Sequence, residues 1–143
     1  AIARSARGLG ADALLLDPTC ADPYYRRSVR VSMGEMLHLP IARAIDWGLA
    51  LERLHGAGFS VWALTPNETA LTVGALEVPD RLALLVGAEG PGLRPETLAR
   101  CTNVRIPMHH RVDSLNVGHA VAATLAVIDA NRNRHPEPGV QRS

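Results

Sequence analysis

Polar side chains that could orient a substrate precede a long apolar segment near the C-terminus. In "VRIPMHHRVDSLNVGHAVAATLAVIDA", residues 104–130, Ser114 and Asn116 come just before that segment, with Asp113 beside them. Hydroxyl and amide groups in this position can cap the first N–H groups of a helix, or they can hold a reacting group through hydrogen bonds. Capping alone does not explain why the segment 106–108 precedes them so closely.

A second stretch, "LLVGAEGPGL" at residues 84–93, could also form a ligand site. Gly87, Gly90 and Gly92 allow the backbone to approach a ligand closely and to adopt positive φ angles, and Glu89 lies among them. The spacing differs from that of a dinucleotide fingerprint, and the stretch lacks the Gly-Lys-Ser/Thr ending of a P-loop. A glycine turn with a capping carboxylate is the structural alternative.

Short apolar segments bounded by turn residues are predicted to be buried strands: "ADALLLDP", "LHLPIARA", "FSVWALTP", "RLALLVG" and "VRIP". A basic helix is predicted over residues 22–37, with Asp22 as its N-cap and Pro23 as its first residue. An amphipathic helix, "IDWGLALERLHGAG", is expected to stop at its glycines. A short helix is predicted from Pro95, and the final helix from near Ser114. The stretch "NETALTVGALEVPD" is predicted to be a loop.

This alternation of short, continuously apolar strands with helices predicts an α/β fold, with a parallel sheet covered by helices on both faces. Ligands of such sheets bind beyond the carboxyl ends of the strands, where both polar stretches are expected. We assign residues 1–132 to one domain and expect the polar residues 133–143 to form a frayed tail.

The composition is that of a globular protein rather than a disordered chain. Of 143 residues, 47% are hydrophobic and 20% are charged, and the formal net charge is +1. That charge neither requires nor excludes nucleic acid, because local patches matter more than totals. No apolar stretch approaches the roughly 18 residues of a membrane span, and none resembles a secretion signal. Cys20 and Cys101 form no pattern, so a reduced cytoplasmic protein is expected.

Three motifs together resemble the SpoU (TrmH-like) family of RNA ribose 2′-O-methyltransferases, within the SPOUT superfamily. They are "ARSARGLGAD" near the start, "LLVGAEGPGL" in the middle, and "RIPM" followed by "VDSLNVGHAVA" near the end. Each motif alone is weak, but the ordered set is specific, and the resemblance covers nearly the whole chain. It implies a parallel sheet whose C-terminal part threads through a loop to form a deep trefoil knot. Pattern reading alone would not predict the knot, because such threading is very rare.

The resemblance implies that the knot holds S-adenosyl-L-methionine. The implied cofactor-binding residues are Gly87, Ile106, Met108 and Leu115. Backbone atoms would line the adenine and ribose side of the pocket, with Met108 nearby. Structured RNA, ribosomal or transfer, would be the substrate, and the enzyme would work as a homodimer.

The implied reaction is attack of a ribose 2′-hydroxyl on the methyl group of a sulfonium, in line, so positioning supplies much of the acceleration. The implied catalytic residues are Arg4, Glu89, Ser114 and Asn116. Arg4 would orient phosphate and hydroxyl, because a guanidinium is a poor base. The other three would organise the pocket and the hydroxyl through hydrogen bonds.

Arg26, Arg27 and Arg30 fall on one face of the predicted basic helix. A solvated charged face and a set of RNA phosphate contacts are both open interpretations, and only the second makes RNA binding depend on salt. Three histidines lack the spacing of a zinc site and have no cysteine close in sequence, so no metal is expected: His109, His110 and His119.

The chain begins without Met, in what reads as the middle of a helix, so we expect a fragment of a longer protein. Relatives often carry an N-terminal RNA-binding domain. The family's first motif normally opens with an Asn that is absent here, so a knotted cofactor- or RNA-binding module without catalysis is the alternative function. A generic nucleotide-binding domain with "GAEGPG" as its phosphate loop would leave "DSLNV" unexplained.

Overall fold

The computed structural model describes residues 2–16, 39–87, 92–109 and 115–133. The helices in these ranges are α1 (Ile2–Gly8), α2 (Trp47–Gly56), α3 (Pro95–Leu98) and α4 (Val117–Asn133), and a 3₁₀ turn covers Val73–Ala75. The strands are β1 (Leu14–Leu16), β2 (Ile41–Arg43), β3 (Ser60–Leu64), β4 (Leu71–Thr72), β5 (Leu82–Leu85) and β6 (Thr102–Arg105). This alternation confirms the predicted α/β class.

The strands pair in parallel throughout the part of the chain that is described. Four of them form a sheet in the order β4-β6-β3-β5, and β1 pairs separately with β2. Ala63 in β3 is level with Leu85 in β5 and with Asn103 in β6. β6 comes after β3 and β4 in the chain, yet it lies between them. Its central position explains why Val104 is fully buried, with 0% of its surface exposed.

Both faces of this sheet are covered, because successive side chains of a strand point to opposite sides. The α2 face packs around a cluster of Leu51, Val61, Ala63 and Leu85. The α4 face packs around a cluster of Trp62, Val73, Val104 and Ile128. The predicted parallel sheet with helices on both faces is therefore confirmed, and burial of these apolar surfaces is the main force that holds the layers together.

α2 begins and ends where its sequence indicates. Asp46 is the N-cap, and its Oδ1 accepts a hydrogen bond from the N–H of Leu49 at 3.0 Å, which satisfies one of the unpaired donors of the first turn. The helix ends at Gly56, and Gly58 follows with a φ of 85°. That conformation favours glycine, which has no Cβ, so the predicted stop signal is the actual one.

α4, the longest of the described helices, packs against α1 and against the 3₁₀ turn. Ala3 and Ala6 are the buried residues of α1, and their small side chains allow the two helices to approach closely. Thr124 in α4 has 0% of its surface exposed, and its Oγ1 donates to the Ala120 carbonyl at 2.7 Å. This bond pairs the buried hydroxyl within the helix.

The structure also differs from the sequence prediction in detail. The predicted loop over residues 67–80 contains β4 and the 3₁₀ turn, because β4 pairs with β6, a long-range contact that local patterns do not reveal. β6 begins at Thr102, two residues earlier than predicted, and α4 begins at Val117, after its predicted start near Ser114. The helix predicted over residues 22–37 lies outside the described residues, as do residues 134–143. Within the described ranges, no helix has the length and apolar character needed to cross a membrane.

Candidate functional site

Three neighbouring strands bring separate parts of the chain to one edge of the sheet. β3, β5 and β6 are parallel, so Thr65, Gly87 and Ile106, which follow them, emerge at the carboxyl edge where ligands of such sheets bind. The Thr65 N–H donates to the Val104 carbonyl at 2.9 Å and fixes the end of β3 against β6. Gly87 and Ile106 thus lie on either side of Thr65, about 10 Å apart at ordinary strand spacing.

Gly87 lies where the chain after β5 folds back on itself. A Cβ atom added to Gly87 would lie 2.5 Å from the carbonyl carbon of Gly92 and 2.6 Å from the nitrogen of Leu93. Gly92 itself has a φ of 69°. The two ends of the glycine stretch therefore meet through their backbones, and only glycine fits at position 87. Residues 88–91, which include Glu89, lie outside the described residues.

Ile106, Met108 and Leu115 differ in their exposure. The Ile106 side chain packs against the α4-face cluster, so its backbone is the part left at the sheet edge. Met108 is half-buried, and Leu115 has 38% of its surface exposed. Backbone polar groups next to apolar side chains fit a ligand that combines an aromatic base with a sugar. The chemical types of these residues therefore suit the nucleoside part of S-adenosyl-L-methionine.

Asn116 caps α4. Its Oδ1 accepts a hydrogen bond from the Gly118 N–H at 2.9 Å, and its carbonyl accepts from the Ala120 N–H at 2.8 Å. The capping interpretation of this residue is confirmed. The bond also fixes the orientation of the side-chain amide, because Oδ1 is bound to the helix and Nδ2 lies on the other side of Cγ.

Arg4 is exposed on α1, beside the buried Ala3. Because α1 packs against α4, the helix that carries Arg4 is held next to the helix that Asn116 caps. The N-terminal and C-terminal motifs are thus joined through a helix pair, although more than a hundred residues separate them in sequence.

Several predicted site residues lie outside the described residues: Glu89, Ser114, Arg26, Arg27 and Arg30. His110 lies outside them too, whereas His109 and His119 are described and exposed. Among the residues with a described position, no group of three or more His, Cys, Asp or Glu side chains could hold a metal ion.

Two polar residues of β6 were not singled out from the sequence. The Asn103 Oδ1 is buried and has no hydrogen-bond partner among the described residues, and the Nε of Arg105 donates to the Ala70 carbonyl at 3.2 Å. Both side chains are on the α2 face, opposite to Val104. Polar residues interrupting a predicted buried strand, as in "TNVRIP", are the signal that could have identified them.

Cys101 is a weakly reactive thiol. Its side chain packs against the α2-face cluster. Burial raises the pKa of the thiol, and the positive charge of Arg100 only partly opposes this effect. A raised pKa lowers the thiolate fraction at neutral pH, so Cys101 is a poor nucleophile.

Comparison with known proteins identifies similar chains. The model of the SpoU rRNA Methylase family matches residues 1–126. An uncharacterized tRNA/rRNA methyltransferase of Mycobacterium tuberculosis is 48% identical over 138 residues, which cover 94% of this chain and 47% of that protein. The 23S rRNA (guanosine-2′-O-)-methyltransferase RlmB of Burkholderia sp is 32% identical over 132 residues, which cover 92% of this chain and 52% of that protein.

A solved structure has the same fold. The SpoU methyltransferase AviRb from Streptomyces viridochromogenes, in complex with the cofactor AdoMet, superimposes with a TM-score of 0.84 and 28% sequence identity. The match covers 94% of this chain and 55% of AviRb. This chain spans about half the length of the curated relatives that it matches.

Proposed function

Because the chain belongs to the SpoU rRNA methylase family, we propose that it transfers a methyl group from S-adenosyl-L-methionine to a ribose 2′-hydroxyl of structured RNA. The observation that carries the proposal is that Gly87 and Ile106 emerge at the same carboxyl edge of the sheet, where segments distant in sequence can surround one ligand. RlmB supports the ribose as target, since its name specifies a 2′-O-methyltransferase of guanosine.

S-adenosyl-L-methionine is the proposed methyl donor, and the AviRb complex supports this choice. Backbone N–H and C=O groups near Gly87 and Ile106 would hold the adenosine part, with Met108 and Leu115 in apolar contact. The bound donor supplies a methyl group already activated on a sulfonium. The residues of this chain therefore have to position the acceptor hydroxyl and exclude water from it.

The proposed catalytic residues are Arg4, Glu89, Ser114 and Asn116. As the 2′-oxygen begins to bond to carbon, its proton becomes more acidic and must pass to a nearby acceptor. Glu89 carries the carboxylate proposed to accept that proton, Ser114 is proposed to hold the hydroxyl by a hydrogen bond, and Asn116 is proposed to orient it through an amide that its bond to Gly118 keeps in place. Arg4 orients the adjacent phosphate, because its guanidinium stays protonated and cannot act as the base.

RNA, ribosomal or transfer, is the proposed partner, with Arg26, Arg27 and Arg30 as phosphate contacts. Two copies of the chain are proposed to associate, and the cytoplasm is the proposed compartment. Residues 1–132 would form the catalytic domain, with the chain beyond β6 threaded as in the family's trefoil knot. The threading is supported by the position of β6 between β3 and β4, which both precede it.

The test measures both cofactor binding and methyl transfer to RNA. Calorimetry measures the affinity of the protein for S-adenosyl-L-methionine and for its demethylated product. The same sample is analysed by sedimentation for its oligomeric state. Labelled donor is then incubated with unmodified transcripts of 23S ribosomal RNA and of transfer RNA. We expect binding of both cofactor forms and a labelled linkage that resists alkaline hydrolysis, because 2′-O-methylation removes the hydroxyl that attacks the adjacent phosphate.

Each departure from this result has a defined meaning. Label on a base rather than on ribose would contradict the proposed target. Cofactor binding without transfer to either RNA would favour the module without catalysis. Preference for ATP or NAD over S-adenosyl-L-methionine would favour the generic nucleotide-binding domain.

A further inference from the structure

Residues 65–70 connect β3 to β4, and we call them the crossing loop because they have to cross β6. The sheet order is β4-β6-β3-β5, so β6 lies between the two strands that the loop joins. At the start of the loop, the Thr65 N–H donates to the Val104 carbonyl at 2.9 Å. Just after its end, Leu71 is the register partner of Val104. The crossing loop therefore passes β6 near the carboxyl end of that strand.

The crossing loop contains a turn that is built on one side chain. The Asn67 Oδ1 accepts hydrogen bonds from the Thr69 N–H at 3.1 Å and from the Thr69 Oγ1 at 3.0 Å. The Asn67 carbonyl accepts from the Ala70 N–H at 3.0 Å. An asparagine turn of this kind satisfies backbone groups that have no strand partner. It therefore fixes the direction in which the chain approaches β4.

Arg105 fastens the far end of the crossing loop to β6. Val104 packs into the α4-face cluster, so strand alternation places the Arg105 side chain on the α2 face. From there its half-buried Nε donates to the carbonyl of the buried Ala70 at 3.2 Å. A hydrogen bond from a charged donor is stronger than one between neutral groups. The guanidinium thus clamps the loop against the strand that the loop crosses.

The near end of the crossing loop lies within the proposed cofactor site. Thr65 follows β3, which lies between β5 and β6, so Thr65 emerges between Gly87 and Ile106. A binding site keeps its geometry only when the segments that line it are held by their own contacts. A shift of the loop at Ala70 would reach Thr65 within a few residues, and so the clamp bears on the backbone beside the cofactor.

We propose that Arg105 is a positioning residue for S-adenosyl-L-methionine: by holding the Ala70 carbonyl, it keeps the crossing loop in place as one wall of the cofactor pocket. This inference rests on the proposed function, because it takes that cofactor as the ligand. In this role Arg105 touches neither the cofactor nor the RNA. Its loss weakens cofactor binding through the loop and leaves RNA binding unchanged.

Arg81 provides a matched control for the loss of a clamp. It precedes β5, at the amino edge of the sheet, and its Nη1 donates to the Ala57 carbonyl at 2.7 Å. Both arginines bind a backbone carbonyl from a strand end, but the Arg81 bond fastens the end of α2, away from the crossing loop. Methionine keeps an unbranched side chain without a donor, so Arg105→Met and Arg81→Met each delete one clamp.

Calorimetry measures the affinity of the unaltered protein and of both methionine variants for S-adenosyl-L-methionine and for its demethylated product. We expect Arg105→Met to lower both affinities roughly tenfold, the effect of about one lost hydrogen bond from a charged donor. Its affinity for the 23S and transfer RNA transcripts should not change. Arg81→Met should leave every affinity unchanged, although it lowers the melting temperature as Arg105→Met does.

Hydrogen exchange provides a readout that does not depend on activity. The amides of Thr69 and Ala70 are hydrogen-bonded within the crossing loop. Arg105→Met should speed their exchange, whereas Arg81→Met should not. In the unaltered protein, bound S-adenosyl-L-methionine should slow exchange of the same amides, because a wall of the pocket is held more firmly when the pocket is filled.

The outcomes separate this inference from the proposed function. Unchanged cofactor affinity in Arg105→Met would overturn the inference alone: with faster loop exchange the loop is not a wall of the pocket, and with unchanged exchange Arg105 does not hold the loop. Weaker RNA binding with unchanged cofactor binding would assign Arg105 to the substrate and overturn it too. Cofactor binding by the unaltered protein without methyl transfer would remove only the proposed reaction. Failure of the unaltered protein to bind the cofactor would remove both.

Variants at two positions keep the test decisive if Arg105→Met does not fold. Arg105→Lys retains a donor for the Ala70 carbonyl and should restore most of the cofactor affinity. Asn67 is exposed, so Asn67→Ala removes the acceptor for Thr69 without disturbing the core and should weaken cofactor binding several-fold. Asn67→Asp keeps that acceptor and should bind normally. Normal cofactor binding by Asn67→Ala would overturn the inference.

Discussion

Asn116 has one observed role, in capping α4, and one proposed role, in catalysis, and the two depend on different atoms of one amide. Its Oδ1 accepts the hydrogen bond from Gly118 that caps α4, whereas the proposed contact to the ribose hydroxyl uses Nδ2. Substitution by alanine removes both atoms and cannot distinguish the roles. Aspartate retains an oxygen acceptor for the cap and replaces the amino group by a second oxygen, so it separates structure from catalysis.

We expect Asn116→Asp to fold with little loss of stability and to lose most methyl transfer. A carboxylate is as good an N-cap as an amide and suits the positive end of a helix, but it cannot donate a hydrogen bond when ionised. Asn116→Ala should lose about 1 kcal/mol of unfolding free energy together with activity. Urea unfolding and single-turnover transfer measure the two effects, and full activity in Asn116→Asp would exclude the proposed role of the amide.

Asn103 is expected to reduce the stability of the sheet. Within the described part of the chain, its Oδ1 is buried without a hydrogen-bond partner, and it lies opposite Ala63, which is fully buried. A buried acceptor that has lost water without gaining a donor is unfavourable. We expect Asn103→Val to raise the unfolding free energy by about 1 kcal/mol, measured by urea unfolding, because valine fills similar space and favours strands.

Thr102→Val provides the control for Asn103→Val. Thr102 is the preceding residue of the same strand and is exposed, so this change tests strand propensity without removing a buried acceptor. Its effect should stay within about 0.5 kcal/mol. Destabilisation by Asn103→Val would instead mean that the acceptor is paired in solution and that the polar group is a stabilising part of the sheet.

At the scale of elements, the two glycines at the end of α2, which are two positions apart, require different backbone conformations. Gly56 is the last helical residue, and Gly58 has a φ of 85°. Apart from adjacent residues and the backbone of the helix itself, no atom of the described residues lies within 4 Å of a Cβ added at either position. Any difference between their alanine variants must therefore arise from the backbone and not from packing.

We expect Gly56→Ala to stabilise the protein by about 0.5–1 kcal/mol, because alanine restricts the unfolded chain and favours the helix. Gly58→Ala should destabilise it by about 1–2 kcal/mol, since a Cβ is strained in the left-handed conformation. Thermal unfolding of both variants provides the comparison. Equal shifts of the same sign would mean that α2 does not end in the described conformation.

At the scale of the whole molecule, local sequence patterns determine most elements but not their arrangement. Apolar runs predicted five strands because a buried parallel strand is continuously apolar, and glycines marked the end of α2. β4 could not be predicted, since its two residues become a strand only by pairing with β6. The placement of β6 between β3 and β4 likewise depends on contacts distant in sequence, and local periodicity contains no information about them.

The candidate site, like the fold, was only partly predictable from the sequence. Strand ends identified the edge of the sheet from which Gly87 and Ile106 both emerge, because parallel strands bring their carboxyl ends to the same edge. Motif resemblance supplied the proposed roles, which no single residue type could indicate. Arg105 was not singled out, since the sequence does not show which groups an arginine at a strand end contacts. Its bond to Ala70 became visible only in the folded chain.

Stability is expected to vary across the molecule, and hydrogen exchange can measure the variation. Ala63 and Val104 lie in central strands with 0% of their surfaces exposed, so their amides should exchange only through global unfolding. α1 has seven residues, is too short to be stable alone, and depends on its packing against α4. Its amides should exchange through local opening that requires a few kcal/mol less free energy. Exchange of α1 as slow as that of Val104 would mean instead that Arg4, the proposed catalytic arginine, lies on an element that opens only with the whole molecule.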